Sequence, residues 1–310
     1  YITRKVGFGY SSSEDSLSPT ALTLTFNYPR VAEPSVSEEV SSEFVIMGGR
    51  DKKRVALLQE EADMRIEFDL MSFYPLYFAL GSINTTVPVT IQPASQLPWI
   101  TIGRELDELA GTTEKTLLTI YGCKVDSCEI TIERGEVASG EISLMGKGAD
   151  TSNDTLTVSN DFTKDPIYYS DVYVSVDGTV LTDVGRIVLT IDNNLDRRLS
   201  ASTVSGYRAY HILEGGLDIS GRILVGAKAL SMLEKVLART GNHEMTIAVE
   251  KTHGGNVYCT ISLPNVWLSE YPERIRGIEP YEVEIPFIAL PTATKPAITV
   301  TQNTIESWSL

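Results

Sequence analysis

The sequence predicts a mainly β protein made of two tandem, related domains, each with a short flanking helix. Short runs in which apolar and polar residues alternate are spread along the chain, and this pattern is typical of half-buried strands. The chain has 310 residues, which exceeds the usual size of one hydrophobic core and favours two domains. One hairpin-like stretch, residues 122–146, returns in weaker form at residues 265–289, 143 positions later.

The repeated stretch is predicted to build a hairpin in each half. In the first copy, apolar and polar residues alternate on both sides of an Arg134-Gly135 turn, which indicates two paired strands. An internal repeat of this kind indicates a duplicated domain. The positions that match between the copies pair Cys123, Val125, Ile132, Glu136, Glu141 and Ile142 with Val266, Leu268, Ile275, Glu279, Glu284 and Ile285. We expect four apolar positions of the first copy to face the core: Ile130, Ile132, Ile142 and Leu144.

The first half begins with an irregular arm, residues 1–20, and continues as a series of short strands. A loop is predicted at residues 30–42, because this segment is rich in Pro, Ser and Glu. Residues 71–80 are apolar nearly all round and predict a short buried helix, in which Pro75 is tolerated only near the first turn. Strands are predicted at residues 21–28, 43–47, 64–68, 98–102 and 116–121.

The second half repeats this order after a polar linker at residues 147–165. Asp177-Gly178 is a strong two-residue turn signal, and residues 227–239 carry the apolar stripe of an amphipathic helix. Residues 192–196 resemble a calcium loop but lack its central Gly, so an Asx-capped turn is favoured. Strands are predicted at residues 172–176, 186–191, 216–225, 245–249 and 256–262. The predicted units are residues 1–146 (first domain), 147–165 (linker), 166–290 (second domain) and 291–310 (tail).

The chain is strongly acidic, with a formal net charge of -15 from 41 acidic and 26 basic residues. This balance argues against a protein that holds nucleic acid by its phosphates, since such proteins need clustered Lys and Arg. It is compatible with a protein past which nucleic acid slides, although a solubilising surface is the favoured interpretation. No apolar run approaches the ~18–20 residues that a membrane helix needs, so no membrane partner is expected.

No catalytic, metal or cofactor site is predicted, and we expect the protein not to be an enzyme. His211, His243 and His253 lack metal-ligand spacing, and the latter two are predicted in exposed loops. Cys123 and Cys128 are predicted on opposite faces of one strand, and like Cys259 they are interpreted as small apolar core residues. A hydrolase with an unrecognised carboxylate pair is the enzyme alternative, although no two carboxylates stand out.

Acidic residues at alternating strand positions are the first group of candidate functional residues. In an isolated sandwich they would simply face solvent. In a closed ring of subunits they would surround a lumen while the apolar positions face the core. The candidate lumen-facing residues are Glu129, Glu133, Glu141, Glu282 and Glu284.

A charged segment at residues 50–63 is the second group. Its ordinary interpretation is a solvated loop or helical turn. The alternative is a projecting loop that contacts a neighbouring subunit or ring through its basic and acidic ends. The candidate residues are Asp51, Lys52, Lys53, Arg54, Glu60 and Glu61.

Two stretches resemble the tail tube proteins of long-tailed bacteriophages and tailed archaeal viruses. The first is LTIYGCKVDSCEITIERGE, residues 118–136, followed by EISL at residues 141–144. It is similar to that family's Tyr-x-Gly-Cys-x-Val strand, alternating strand, Gly turn and Glu-Ile-x-Leu strand. The second comprises RIVLTIDNNL, residues 186–195, and EGGLDISG, residues 214–221, which is similar to the family's second-half signature.

The resemblance implies a tail-tube-like β-sandwich or barrel with a flanking helix, with neither catalytic residues nor cofactors. Its subunits would form rings, stacked into a tube in the virion tail through which viral DNA passes. The implied partners are further copies of the chain and the tape measure, tail terminator and distal tail proteins, with assembly in the host cytoplasm. Such rings have six equivalent domains, so a duplicated chain would form a trimer with pseudo-sixfold symmetry, and an unduplicated one a hexamer.

Two further alternatives remain open from the sequence. An inner tube or baseplate component of a contractile injection system would share the fold. A ligand-binding β-sandwich, such as a carbohydrate-binding module, would need paired aromatic residues on one face. The scattered positions of Trp99, Trp267 and Trp308 count against that second alternative.

Overall fold

The computed structural model describes residues 5–11, 29–43, 54–71, 73, 75–107, 115–152, 166–199, 209–226, 242–250, 259–268 and 282–303. Within these ranges the chain is mainly β, as predicted, with one short α-helix. The elements are β1 (Lys5–Ser11), β2 (Pro29–Glu43), β3 (Arg54–Asp69), α1 (Pro75–Leu80), β4 (Gly81–Asn84), β5 (Val89–Pro93), β6 (Trp99–Asp107), β7 (Lys115–Glu133), β8 (Ser139–Gly146), β9 (Gly148–Ser152), β10 (Val172–Val176), β11 (Thr179–Leu181), β12 (Val184–Asp192), β13 (Asp196–Leu199), β14 (Ala209–Leu213), β15 (Asp218–Gly226), β16 (His243–Val249), β17 (Cys259–Leu268), β18 (Glu282–Ala289) and β19 (Thr299–Gln302).

One continuous antiparallel sheet runs through both halves of the chain, and we call it the front sheet. Its strands follow in the order β2, β3, β8, β7, β12, β15, β18 and β17. The two halves meet where β7 pairs with β12, from Arg186 opposite Glu133 to Asp192 opposite Ser127. Side chains of a strand alternate between faces, so each row of paired residues continues on one face across both halves.

The inner face of the front sheet supplies much of the hydrophobic core. One row runs from Phe68 through Gly140, Ile130, Leu189 and Gly221 to Phe287, and all of these residues are buried. Glycine stands beside each phenylalanine because the rings occupy the space that a β-carbon would need. A β-carbon on Gly140 would lie 2.4 Å from the ring of Phe68, and one on Gly221 would lie 2.4 Å from the ring of Phe287.

Two long strands, β7 and β17, belong to the front sheet along one part of their length and pair with other strands along the rest. The first part of β7 pairs with β6 and β9, and its second part pairs with β8 and β12. Strand β17 does the same, pairing first with β16 and β19 and then with β18. Helix α1 starts at Pro75, as expected for a proline at a first helical position, and its other residues are all buried.

The strand pairings of the first half recur in the second. The corresponding pairings are β1–β6 and β10–β16, β2–β3 and β12–β15, β3–β8 and β15–β18, β6–β7 and β16–β17, β7–β8 and β17–β18, and β7–β9 and β17–β19. The registers also correspond: Val125 lies opposite Leu144, and 143 positions later Leu268 lies opposite Phe287.

Irregularities in the ladders recur at the same places. The register shifts between Ile100 and Ile102 in β6, and between His243 and Met245 in β16. It shifts again between Pro29 and Val31 in β2, and between Val184 and Arg186 in β12. Bulges are specific features of a fold rather than random defects. The predicted domain boundaries themselves stay a prediction.

Several sequence-based predictions are confirmed. The hairpin of residues 122–146 forms as β7 and β8, and its four apolar positions are buried. Asp177 and Gly178 both have positive φ, 50° and 73°, as a two-residue hairpin turn requires. The backbone N–H of Asn194 donates to the carboxylate of Asp192 at 2.9 Å, which is the predicted Asx turn.

Other predictions are wrong. Within the predicted irregular arm, Lys5–Ser11 is strand β1. The predicted loop at residues 30–42 is strand β2, and residues 54–63 belong to β3 rather than to a loop or helical turn. Part of the predicted linker, Gly148–Ser152, is strand β9. Cys123 and Cys128 both lie in the core, because a register shift between Val125 and Ser127 returns the strand to the same face. The predicted elements at residues 21–28, 44–47 and 227–239 lie outside the described residues.

We predict that Gly221→Ala destabilises the fold by about 1–3 kcal/mol, because the added methyl group would overpack the core. Its β-carbon would lie 2.3 Å from the backbone oxygen of Val188 as well as against Phe287. Urea unfolding measures this change. The matched control is Gly216→Ala, where no atom lies within 4 Å of the new β-carbon. Equal free energies of unfolding for the two variants would contradict this account of the core.

Candidate functional site

The outer face of the front sheet is rich in carboxylates, and we call it the acidic face. Its cross-strand rows follow the ladder, so that Glu67 lies opposite Glu141, which lies opposite Glu129, which lies opposite Thr190. The carboxylates of the face are Asp63, Glu67, Asp69, Glu129, Glu133, Glu141, Asp192, Asp218, Glu282 and Glu284, and its arginines are Arg65, Arg186 and Arg222.

Arginines offset the repulsion within these rows. Like charges directly opposite each other destabilise a sheet, and Glu67, Glu141 and Glu129 stand side by side. Arg65 lies between two of them, with its Nε 2.5 Å from Oε1 of Glu141 and its guanidinium 2.9 Å from Glu67. Thr190 donates its hydroxyl to Glu129 at 3.4 Å.

The same ion pair occurs in each half. Arg222 lies 3.6 Å from Glu284 on β15 and β18, the strands that correspond to β3 and β8, where Arg65 pairs with Glu141. Glu284 follows Glu141 by the 143-residue interval of the repeat. These side chains are about a third to a half exposed, so each pair contributes only about 0–1 kcal/mol. Their effect is to hold the carboxylates in an ordered array that stays negative overall.

The structure brings together all five predicted lumen residues. Glu129, Glu133, Glu141, Glu282 and Glu284 lie on the acidic face, and their position in a channel stays a prediction. In the second predicted group, Arg54, Glu60 and Glu61 lie in β3, and Arg197 of β13 comes within 3.8 Å of Glu61. Asp51, Lys52 and Lys53 lie outside the described residues.

A depression on the acidic face is lined by Glu67, Glu129, Glu141 and their neighbours. In the part of the chain that the structure describes, no group of His, Cys, Asp and Glu side chains is arranged to hold a metal ion. The prediction that His243 is an exposed loop residue is wrong: it starts β16, is buried, and its Nδ1 lies 2.9 Å from Oδ2 of Asp177.

An ion pair between a buried lysine and a partly exposed glutamate joins the two halves at the end of β7 and β8, and the sequence analysis missed it. Lys124 of β7 is 3% exposed. Its Nζ donates to Oε1 of Glu214 at 2.5 Å and to the backbone oxygen of Ile212 at 3.2 Å. The same ammonium lies 3.8 Å from the ring centroid of Trp99, which adds a cation–π contact. The available signal was a lysine placed between core residues Cys123 and Val125.

Two further side chains of the second half contact the first half nearby. Asn193 donates its amide to the backbone oxygens of Ala79 and Val125 at 3.0 and 2.9 Å. Arg197 donates to the backbone oxygens of Gly146 and Ala62 and pairs with Asp63. We call this set the clamp; it consists of Asn193, Arg197, Ile212 and Glu214. The hairpin β13–β14, which carries Arg197 and Ile212 of the clamp, covers the end of β7 and β8.

Burial changes the pKa of several groups here. Burial raises the pKa of Glu214, but hydrogen bonds from Lys124 and from the backbone N–H of Leu97 outweigh it, so the pKa lies below its ordinary value. Burial raises the pKa of Asp126, partly opposed by a hydrogen bond from Leu195. Burial raises the pKa of the Cys128 thiol to about 12, so this cysteine stays neutral and serves as packing.

A family model described as "Phage tail tube protein" matches residues 4–303. The chain belongs to the phage tail tube protein family. As a member, it is a structural rather than an enzymatic protein and a component of the virion tail. Tail tube proteins assemble with themselves and with other tail proteins. No curated protein sequence matches the chain.

Within the described part of this tail tube protein, helices are too short or too polar to cross a membrane.

We predict that Glu214→Gln lowers the free energy of unfolding by about 2 kcal/mol at pH 7, because a buried lysine loses its counter-charge. The folded-state pKa of Glu214 is lowered, so its contribution is present above its ordinary pKa and is lost as the pH falls through the folded-state value. The difference between wild type and variant should therefore shrink between pH 7 and pH 3 in urea unfolding. Glu136→Gln, in an exposed turn, is the control and should change neither value. A gap that stays constant with pH would contradict the assignment.

Proposed function

We propose that this chain is the repeating subunit of the tail tube, the conduit through which viral DNA leaves the virion. The observation that carries the proposal is the continuous front sheet with one acidic face. A sheet that is long, curved by its natural twist and acidic on one side is suited to form the wall of a channel. Closure into a ring would also remove the exposed edges that make isolated sheets prone to aggregate.

Three copies per ring are proposed, arranged with pseudo-sixfold symmetry. The corresponding pairings, registers and bulges of the two halves support an internal duplication. Within one chain the halves already lie side by side through the β7–β12 ladder. Repetition of this side-by-side contact around an axis closes a ring, and six related halves amount to three chains.

The acidic face is proposed to line the channel. Electrostatic attraction supplies essentially all non-specific affinity for DNA, so a negative wall lets the duplex pass without adhering. The arginines of the face are held beside carboxylates, Arg65 by Glu141 and Arg222 by Glu284, which keeps their positive charge from acting alone on phosphates. The net charge of -15 is consistent with this role.

The hairpin formed by β2 and β3 is proposed as a contact between subunits, which was the alternative interpretation of this charged segment from the sequence. Its outer part includes Arg54, Glu60 and Glu61. Among the described residues, β2 pairs with β3 alone, and we propose that its second edge pairs with a neighbouring chain.

We predict that the assembled protein forms rings of three chains that stack into tubes. Electron microscopy of the assembled protein should give end-on class averages with six similar lobes, and native mass spectrometry of single rings should give three times the 34.0 kDa chain mass. Rings of six whole chains would contradict the duplication. Monodisperse single chains under all assembly conditions would contradict the tube subunit itself.

A further inference from the structure

The surface that the clamp covers in the first half has a counterpart in the second half, and among the described residues no clamp covers this counterpart. In the first half the clamp contacts Lys124 at the end of β7 and β8, where Lys124 and Lys147 are 3% and 6% exposed. The residues 143 positions later are Trp267 and Leu290, at the end of β17 and β18. Trp267 lies directly opposite Ile288, as Lys124 lies opposite Met145.

These second-half residues are exposed apolar side chains. Trp267, Ile288 and Leu290 are each 45% exposed, and together we call them the Trp267 surface. A tryptophan beside two aliphatic residues is the composition of an interface core rather than of a solvated strand. The surface therefore needs a partner that does for it what the hairpin β13–β14 does for Lys124.

We propose that the Trp267 surface binds the β2–β3 hairpin of a second copy of this chain, in the way that the clamp hairpin binds the first half within one chain. The proposal rests on the proposed ring and names the residues that close it. Each ring interface would then repeat the junction already present inside the chain.

The register of the hairpins supports this occupant. The β2–β3 ladder shifts between Glu39 and Val40, at the place where the β12–β15 ladder gives way to β13–β14. Beyond that point, Ser42 opposite Val55 takes the place of Arg197 opposite Ile212. The outer part of the β2–β3 hairpin is therefore the counterpart of the clamp hairpin.

The outer edges of β12 and of its counterpart β2 differ, and this difference favours a neighbouring chain as the partner of β2. Strand β12 has β15 on one side and β7 of the other half on the second side. Its counterpart β2 has β3 on one side, and within the described ranges its second side pairs with nothing. A second copy supplies the missing neighbour through its own second half.

At the two matched positions, the residue types change together from charged to apolar. In the matched registers of the two hairpins, Leu57 of the first half corresponds to Glu214 of the second half. Trp267 of the second half corresponds in the same way to Lys124 of the first half. The ion pair between Lys124 and Glu214 within the chain is thus replaced by an apolar pair between chains. An apolar contact suits an interface that must form from two solvated surfaces, because it avoids desolvating charges.

The test uses full-length chain and exchanges the apolar pair for the charged one. Trp267→Lys and Leu57→Glu should each raise the concentration required for ring assembly about tenfold or more, measured by sedimentation velocity, because each places an unpaired charge in the interface. The double variant W267K/L57E should restore assembly toward the wild-type concentration. The control is Val180→Lys, at a 52% exposed position on β11, which should assemble as the wild type does.

The melting temperature of unassembled Trp267→Lys should match that of the wild type, since Trp267 is 45% exposed in the single chain. If wild type forms rings and Trp267→Lys assembles equally well, the Trp267 surface faces another partner or solvent and the inference is overturned while the ring stands. If both single variants fail and the double variant is not restored, the pairing of Leu57 with Trp267 is overturned. If wild type itself forms no rings, the proposed function fails.

Discussion

The antiparallel ladder between β7 and β12 is the interaction on which the rest of the structure depends. It joins two halves with corresponding pairings into a single front sheet. Since side chains alternate along a strand, a slip of one residue in this ladder would turn one half's apolar residues to solvent. The register that buries Ile130 against Leu189 also places Glu129 beside Thr190. Burial of the core and exposure of the acidic face are therefore two consequences of one pairing.

Local chemistry reinforces this register from both sides. On the inner face, Gly140 and Gly221 leave room for Phe68 and Phe287, which fixes where the large side chains sit. On the outer face, Arg65 and Arg222 reduce repulsion between neighbouring carboxylates. At the end of the sheet, the ion pair of Lys124 and Glu214 ties the second half to the first, because the buried ammonium of Lys124 needs a counter-charge.

The alternation of apolar and polar residues predicted many of the strands and their faces, because a half-buried strand has apolar residues on one face and polar residues on the other. It identified the hairpin at residues 122–146 and placed Glu129, Glu133 and Glu141 on the side opposite the core. It failed where pairing overrides composition. Residues 30–42, which contain Pro34, are predicted as a loop but lie in β2; within the described ranges β2 pairs on one side only, and proline is tolerated on such a strand. A bulge after Val125 placed both Cys123 and Cys128 in the core.

The buried Lys124 was missed for a different reason. Its partners Glu214 and Ile212 lie far away in the sequence, so no local sequence pattern indicates the contact. In the sequence, the correspondence between the halves is visible only as a weak repeat of residue types. In the structure, the strand pairings and bulges of the two halves correspond position by position. The strand register is the same at Lys124 in one half and Trp267 in the other, while the residue types differ; this is the pattern expected if the proposed duplicated units take different neighbours.

The central claim is that the acidic face of the front sheet forms the inner wall of a ring. An electron cryomicroscopy map of the assembled tube, at a resolution that shows side chains, tests it most directly. The account predicts that Glu129, Glu141 and Glu284 point into the channel and that the front sheets of neighbouring chains join edge to edge. A map with these three residues on the outer surface of the tube would contradict it.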